Sequence, residues 1–519
     1  MNIAIYLIML AAFFGLMIFI GFAYRRKSRS TEGFLLGGRT VGPWLTAFAY
    51  GTSYFSAVIF VGYAGQFGWK FGVASTWIGL GNAFIGSLLA WNLLGRRTRI
   101  MTRHLKTATM SDFFGKRFDS SALKIAAAVI IFIFLIPYTA SLYNGLSRLF
   151  AMAFDIPFWV CIIVMSVLTA VYVIAGGYMA TAVNDFIQGI IMLFGIVAVI
   201  VAVIVGNGGW NEVFSSLSQI DGGTGQAGVF TSFFGPDVVS LFFVIILTSL
   251  GTWGLPQMVQ KFYAIKDESA IVKGTVISTA FALVVAGGCY FLGGFSRLYP
   301  DAATNGFDAI IPAMLSELSP YLIGLVIILV LSASMSTLSS LSMTSASTLT
   351  LDLIKPVKKK EMKDKEQVLC IRSFIVVFIV ISAVIAICQY YLKLDLIAQM
   401  MGVSWGALAG SFLAPFLYGL YYKKTTKAAV WFSYAYGSGV MVLYLLYSLW
   451  LKNYFTLPAF LASPLNLGAI VMLSGLILVP LISLFTQKPD KEKIEEIFSC
   501  YYKTSLGPAK EVLVDEDEQ

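Results

Sequence analysis

The chain is poor in the side chains on which most enzymatic and metal chemistry depends. His104 is the single histidine among 519 residues, so a hydrolytic triad, a haem ligand pair or a two-histidine metal site has almost nothing to be built from. Five cysteines, Cys161, Cys289, Cys370, Cys388 and Cys500, stand apart without CxxC or paired spacing. Neither a disulfide framework nor a zinc site is suggested. Charge is scarce as well. Asp, Glu, Lys and Arg make up 12% of the chain, against 58% hydrophobic residues and a mean hydropathy of +0.81. No soluble domain of this size approaches that balance, and the sequence reads as an all-α polytopic membrane protein.

Apolar runs of at least about 18 residues, enough to cross a bilayer, recur along the chain. They predict thirteen helices, near 4–24, 42–66, 73–95, 121–147, 156–176, 182–205, 236–258, 272–296, 319–350, 368–390, 395–420, 427–450 and 464–486. The first is expected to stay as a helix rather than be cleaved, because Arg25, Arg26 and Lys27 follow its apolar stretch instead of preceding it. With the N-terminus outside, the loops of one face carry 31 of the 36 Lys and Arg residues, Lys261 counted among them. The positive-inside rule makes that face cytoplasmic and puts the C-terminus there too. The net charge of +9 is then a matter of topology, and basic runs such as KKKEMKDK read as solvated loop rather than nucleic-acid contacts. The lipid bilayer is the expected surrounding, in the cell membrane, with no obligate protein partner evident.

What the chain does have is hydroxyls where lipid is expected. Residues 331–352, LSASMSTLSSLSMTSASTLTLD, follow LIGLVIILVL without a polar break. Ser336, Ser339 and Ser340 share one helical face, with Thr337 beside it. Hard cations such as sodium are held by oxygens, and neutral hydroxyls supply them at a smaller burial cost than carboxylates. Small residues also build packing seams between membrane helices, and both readings stand on the sequence alone. Two helices read as broken, AFAYGTSYFSAVIFVGYAG and IILTSLGTWGLPQMVQ, each with glycines among small polar residues in mid-span. Broken helices are tolerated in a membrane around a cavity or ion site. Counted from the second helix they are the first and sixth, positions related by an inverted repeat of five helices plus five. Asp185, in GGYMATAVNDFIQG, starts an apolar helix and reads either as a solvated cap or as the counter-charge of a cation.

The segments LGGRTVGPWLTAFAYGTSYFSA, AGGYMATAVNDFIQG, GLPQMVQKFYAIKD and SASMSTLSSLSMTSASTLTLDL, in this order, closely resemble the sodium:solute symporter family, whose members include proline, pantothenate, sialic acid, monocarboxylate and sugar carriers. The resemblance covers essentially the whole chain. It implies a LeuT-type 5+5 inverted repeat preceded by one extra N-terminal helix, and alternating access driven by Na+. Residues 1–41 would hold that extra helix and a cytoplasmic loop, 42–420 the transport core (42–205 and 236–420), 421–486 two further helices, and 487–519 a cytoplasmic tail. By motif, the resemblance implies a sodium site of the carbonyls of Thr52, Phe55 and Ala333 with the hydroxyls of Ser336 and Thr337. Some members have a second sodium site, which here would comprise Asp185, Ser336, Ser339 and Ser340.

The chain departs from the proline carriers in having Tyr54 where they have an aspartate, and Thr248 and Thr252 where they have Trp and Tyr; TSYFSA and AVNDFIQG look somewhat closer to the pantothenate branch. Candidates to line the solute are Tyr54, Ser56, Thr252, Trp253, Pro256, Gln257 and Trp405. None is acidic or basic, which suits a small monocarboxylate or zwitterion, an amino acid such as proline or a pantothenate-like acid, met by half-helix ends and by sodium. A sodium-coupled sugar or sialic acid carrier is the alternative, as is proton or lithium coupling. A channel would need no paired breaks, a sensor would need an output domain, and a membrane enzyme would need a nucleophile and base that the chain does not offer.

Overall fold

The structure is a computed structural model, and it describes residues 2–25, 30–154, 156–221, 223, 225–304, 306–358, 362–392 and 397–503. The acidic end beyond residue 503 and the basic residues Arg26, Lys27, Lys359, Lys360 and Lys393 lie outside the described residues. Among those described, the chain is helical, with a lone β-bridge between Val41 and Ile265. Ten helices among the described residues are long and apolar enough to cross a membrane, or eleven when a pair bent by 47° is counted as one span.

In chain order the principal elements are α1 (Asn2–Ala23), α2 (Pro43–Tyr54), the helical run α3 (Val58–His104), α4 (Ser121–Phe154), α5 (Phe158–Gly206), α6 (Val238–Leu250), α7 (Pro256–Tyr263) and α8 (Glu268–Gly293). They continue with α9 (Pro320–Thr348), α10 (Asp364–Tyr391), α11 (Ile397–Tyr421), α12 (Lys427–Leu449), α13 (Pro464–Phe485) and α14 (Lys491–Lys503). Burial separates centre from rim. The spans containing α9 and α11 are 83% and 89% buried, whereas the α1 span is 28% buried. Hence the hydroxyl-rich segment lies in the middle of the protein, away from lipid, which is the setting in which polar side chains in a membrane are affordable.

Where the sequence suggested helices at 156–176 and 182–205, the backbone forms one helical run, α5, of 49 residues. At about 1.5 Å per residue this run is over 70 Å long, more than two hydrocarbon cores of about 30 Å. It turns at Gly177, whose φ of 60° and ψ of −161° lie outside helical space. That combination is essentially confined to glycine, since a Cβ would clash with the neighbouring carbonyl. Beyond the last apolar span, α14 buries Ile494 and Phe498 and is tethered by Lys493 to Asp119 at 2.9 Å and by Lys423 to Glu495 at 2.8 Å. The hydrogen bond from Lys493, with the charge behind it, holds the Asp119 carboxyl below the usual carboxylate range. Such exposed pairs orient more than they stabilise.

The Gly177 backbone yields a direct expectation. Gly177→Ala should destabilise the folded protein by about 1 to 3 kcal/mol, the cost of a residue held in a sparsely populated backbone region. A lowered thermal unfolding midpoint in detergent would report it, and an unchanged midpoint would show that this turn carries no such strain.

Candidate site at the two helix breaks

The two breaks have separate local causes. In α2 the hydroxyls of Thr52 and Ser53 turn back onto their own helix, donating to the carbonyls of Phe48 at 2.8 Å and Ala49 at 2.5 Å. Back-bonding of this kind competes with the backbone ladder and bends helices. The helix stops at Tyr54, and Phe55 is extended at φ −82°, ψ 126°. Between α6 and α7 the agent is proline. Pro256 is the first residue of α7 and has no N–H to give, and it drives the preceding Leu255 to an extended φ −84°, ψ 120°. Gly254 makes room for this break, since a Cβ there would sit 2.9 Å from the Leu413 amide nitrogen of α11. The chain entering α2 and the chain leaving α7 are tied together by backbone bonds, Val41 N–H to the Ala264 carbonyl and Lys266 N–H to the Val41 carbonyl, both at 3.2 Å.

The first break faces α9. Ser336 Oγ lies 3.0 Å from the Thr52 carbonyl and 3.1 Å from the Ala333 carbonyl. Thr337 Oγ1 lies 3.1 Å from the Ala333 carbonyl, 3.3 Å from Phe55 and 3.4 Å from both Thr52 and Ser53. All five oxygens named from the family motif, those of Thr52, Phe55, Ala333, Ser336 and Thr337, are therefore brought to one point, and the Ser53 carbonyl joins them. The Ala333 carbonyl is also served by the ladder of α9, and the two hydroxyl protons cannot satisfy the three break carbonyls of Thr52, Ser53 and Phe55 as well. An excess of oxygen lone pairs in a fully buried setting is the chemistry of a hard-cation site. At three other hydroxyls of α9 the packing-seam reading fits. Ser334, Ser342 and Ser347 donate to carbonyls of their own helix at 2.8, 2.7 and 3.0 Å.

The residues of the second set are disposed differently. Ser336 is engaged at the first break, and Ser339 Oγ donates to the Ser336 carbonyl at 2.8 Å. Ser340 Oγ is 2.8 Å from Ser53 Oγ and accepts from Lys261 Nζ at 2.9 Å. Lys261 also lies 3.9 Å from Asp185 Oδ2, with both side chains buried. This corrects the reading of Lys261 as a loop charge, and of Asp185 as a solvated cap. The sequence placed Lys261 by its distance from the apolar run, while the bend at Pro256 turns α7 inward and carries it into the core.

The solute candidates divide in two. Tyr54 Oη, Ser56 Oγ, both amide atoms of Gln257 and Trp405 Nε1 are buried without a hydrogen-bond partner. By contrast, Thr252 Oγ1 donates to the Ser249 carbonyl at 2.8 Å and Trp253 Nε1 to the Ile85 carbonyl at 3.0 Å. Pro256 serves the break. The Tyr54 and Trp405 rings are 5.8 Å apart, and Trp405 is 5.9 Å from Tyr138 of α4, whose hydroxyl is likewise without a partner. Tyr138 and Asn82 were missed from the sequence. Asn82 accepts from Ser249 at 2.9 Å, its Nδ2 is without a partner, and it lines a small cavity with Tyr54, Phe55, Ser87 and Ser278. A lone amide in an apolar run, and a tyrosine directly after Pro137, were the available signals.

The chain has relatives of known sequence and of known fold. The chain is 28% identical over 494 residues to the osmoregulated proline transporter OpuE of Bacillus subtilis (strain 168), covering 93% of this chain and 96% of that protein. It is 26% identical over 455 residues to a sodium/proline symporter of Staphylococcus aureus, covering 86% of each. In fold it is similar to a Na+-coupled sialic acid symporter in a substrate-bound outward-open state, with a TM-score of 0.74, 17% identity, and coverage of 94% of this chain and 98% of the other. A closed nucleobase-cation-symport-1 family transporter matches with a TM-score of 0.50 at 13% identity, over 89% of this chain and 97% of that one. Residues 34–437 match the description of one family across most of the chain, so that this multi-pass membrane protein is a carrier rather than an enzyme and belongs to the sodium:solute symporter family.

Proposed function

We propose that the chain imports a small zwitterion or monocarboxylate, an amino acid such as proline or a pantothenate-like acid, together with sodium, by alternating access across the cell membrane. The observation that carries this reading is the group of four carbonyls facing two hydroxyls, Ser336 and Thr337, at the first break. Sodium is the coupling ion at this point, ligated by Thr52, Phe55, Ala333, Ser336 and Thr337. The solute lies beside it, against Tyr54, Ser56, Gln257 and Trp405, whose polar atoms are neutral and without internal partners. A carboxylate there is met by the bound cation and by the positive N-terminal end of α7. The proline carriers among its relatives favour an amino acid over a sugar. With α5 counted as two spans joined at Gly177, and α2 with the first part of α3 counted as a span separate from the rest of α3 beyond Gly72, the helices number thirteen, α1 being an extra helix ahead of the 42–420 core, with 421–486 and the tail after it. The N-terminus is outside and the C-terminus cytoplasmic.

Ser336→Ala and Thr337→Ala should each remove one neutral oxygen from the ion. A loss of about 1 to 3 kcal/mol, as for a buried polar group left unpaired, raises the sodium concentration for half-maximal uptake by about 5- to 150-fold. Uptake into proteoliposomes over a sodium titration checks this, and unchanged sodium dependence in both variants removes these residues from the ion site.

The solute residues separate by their partners. Gln257→Ala and Tyr54→Phe should raise the solute KM about fivefold or more, the value of one lost hydrogen bond near 1 kcal/mol. Thr252→Val, which loses a bond within its own helix, should leave KM almost unchanged. Competition against labelled uptake then tests the class: inhibition by proline, pantothenate or short monocarboxylates is expected, and inhibition by glucose or galactose without any of these would overturn it.

A further inference from the structure

The sodium reading leaves one buried charge without a task. Lys261 of α7 is at the level of the ion-binding elements, its side chain 5% exposed. An ammonium has three donors and no acceptor, and here three groups surround it. Ser340 Oγ of α9 accepts at 2.9 Å, Asp185 Oδ2 of α5 lies at 3.9 Å, and the face of the Tyr178 ring lies 5.2 Å away. Ser53 of α2 completes the cluster through its 2.8 Å bond to Ser340. Asp185 Oδ2 has no hydrogen-bond partner, so the charge facing it is that of Lys261.

These are the oxygens at which a second sodium would be sought: the carboxylate of Asp185 and the hydroxyl of Ser340. We infer that the protein's own Lys261 ammonium fills this place as a tethered cation, so that one sodium, not two, accompanies each solute. The inference rests on the transport reading given above. Lysine carries the same single positive charge as sodium and joins the same elements, linking α7 to α5 and α9 as a bound ion would. A sodium ion brought against the same carboxylate would stand about 4 Å from the ammonium. At an effective dielectric constant of about 20, that repulsion lowers its affinity by about a thousandfold. The energetic consequence is a shallower concentrative limit. With 100 mV and a tenfold sodium gradient, one ion supports about 500-fold accumulation of a neutral solute, whereas two would support about 10⁵-fold.

Equilibrium binding of radiolabelled sodium to the purified full-length protein counts the ions without requiring transport. The wild type should bind one. Lys261→Met should bind two and raise the Hill coefficient of sodium-dependent uptake from about one toward two, because the bared Asp185 then recruits an ion. A purely structural role for Lys261 gives no such gain. The paired replacement Lys261→Met with Asp185→Asn removes both charges together, a change that buried ion pairs commonly tolerate, and should bind one sodium with wild-type affinity. Two ions on the wild type, one on Lys261→Met, or none on the paired variant would each overturn the inference. A wild type that binds no sodium and shows no sodium-dependent uptake would instead defeat the transport reading itself.

Discussion

Everything in this protein is arranged around backbone carbonyls that a helix would ordinarily consume. In a bilayer, an unsatisfied carbonyl costs several kcal/mol, so the break at Phe55 is sustainable only if something else meets the freed oxygens. The hydroxyls of Ser336 and Thr337 meet some of them. Their two protons cannot meet all, and under the proposed function a cation would complete the balance. The same constraint explains why α9 is among the most buried helices of the protein: its hydroxyls are useful only where lipid is excluded and the broken helix lies alongside.

The second break is made by different chemistry and supports a different task. Pro256 forces the chain out of the helix and redirects α7, so the polar atoms of Gln257 are left without partners while Lys261, one turn further on, swings inward. The two breaks are held in register by the backbone bonds between Val41 and the 264–266 segment. In the proposed reading, ion site and solute surface are therefore parts of one unit: movement of α2 relative to α9 would alter the sodium ligands, and movement of α7 would alter both the solute surface and the Lys261 pair. A coupled carrier requires such shared elements, since a ligand shifts a conformational equilibrium only through contacts that differ between states.

Hydroxyls on α9 do two kinds of work within a few residues. Ser334, Ser342 and Ser347 satisfy themselves on their own helix and present small, quiet surfaces for close packing. Ser336, Thr337 and Ser340 reach across to other helices. Sequence spacing could group these residues on a face, but a serine that back-bonds and a serine that ligates are the same letter. Only the neighbouring chain distinguishes them.

Class, approximate helix positions and the location of both breaks followed from the sequence by itself, because hydropathy and the backbone needs of proline, glycine and back-bonding hydroxyls are local. That the oxygens of Thr52, Phe55, Ala333, Ser336 and Thr337 lie close together was implied by the family resemblance, and spacing alone would not give it. What the tertiary structure decided was which polar atoms are already satisfied. It set Thr252 and Trp253 apart from Gln257 and Tyr54, and brought Tyr138 and Asn82 to the site from distant segments. It also moved Lys261 from an assumed loop to the side of Asp185, 76 positions earlier in the chain. Partnership between residues so far apart depends on how helices pack, and packing is a property of the whole fold that no local pattern contains.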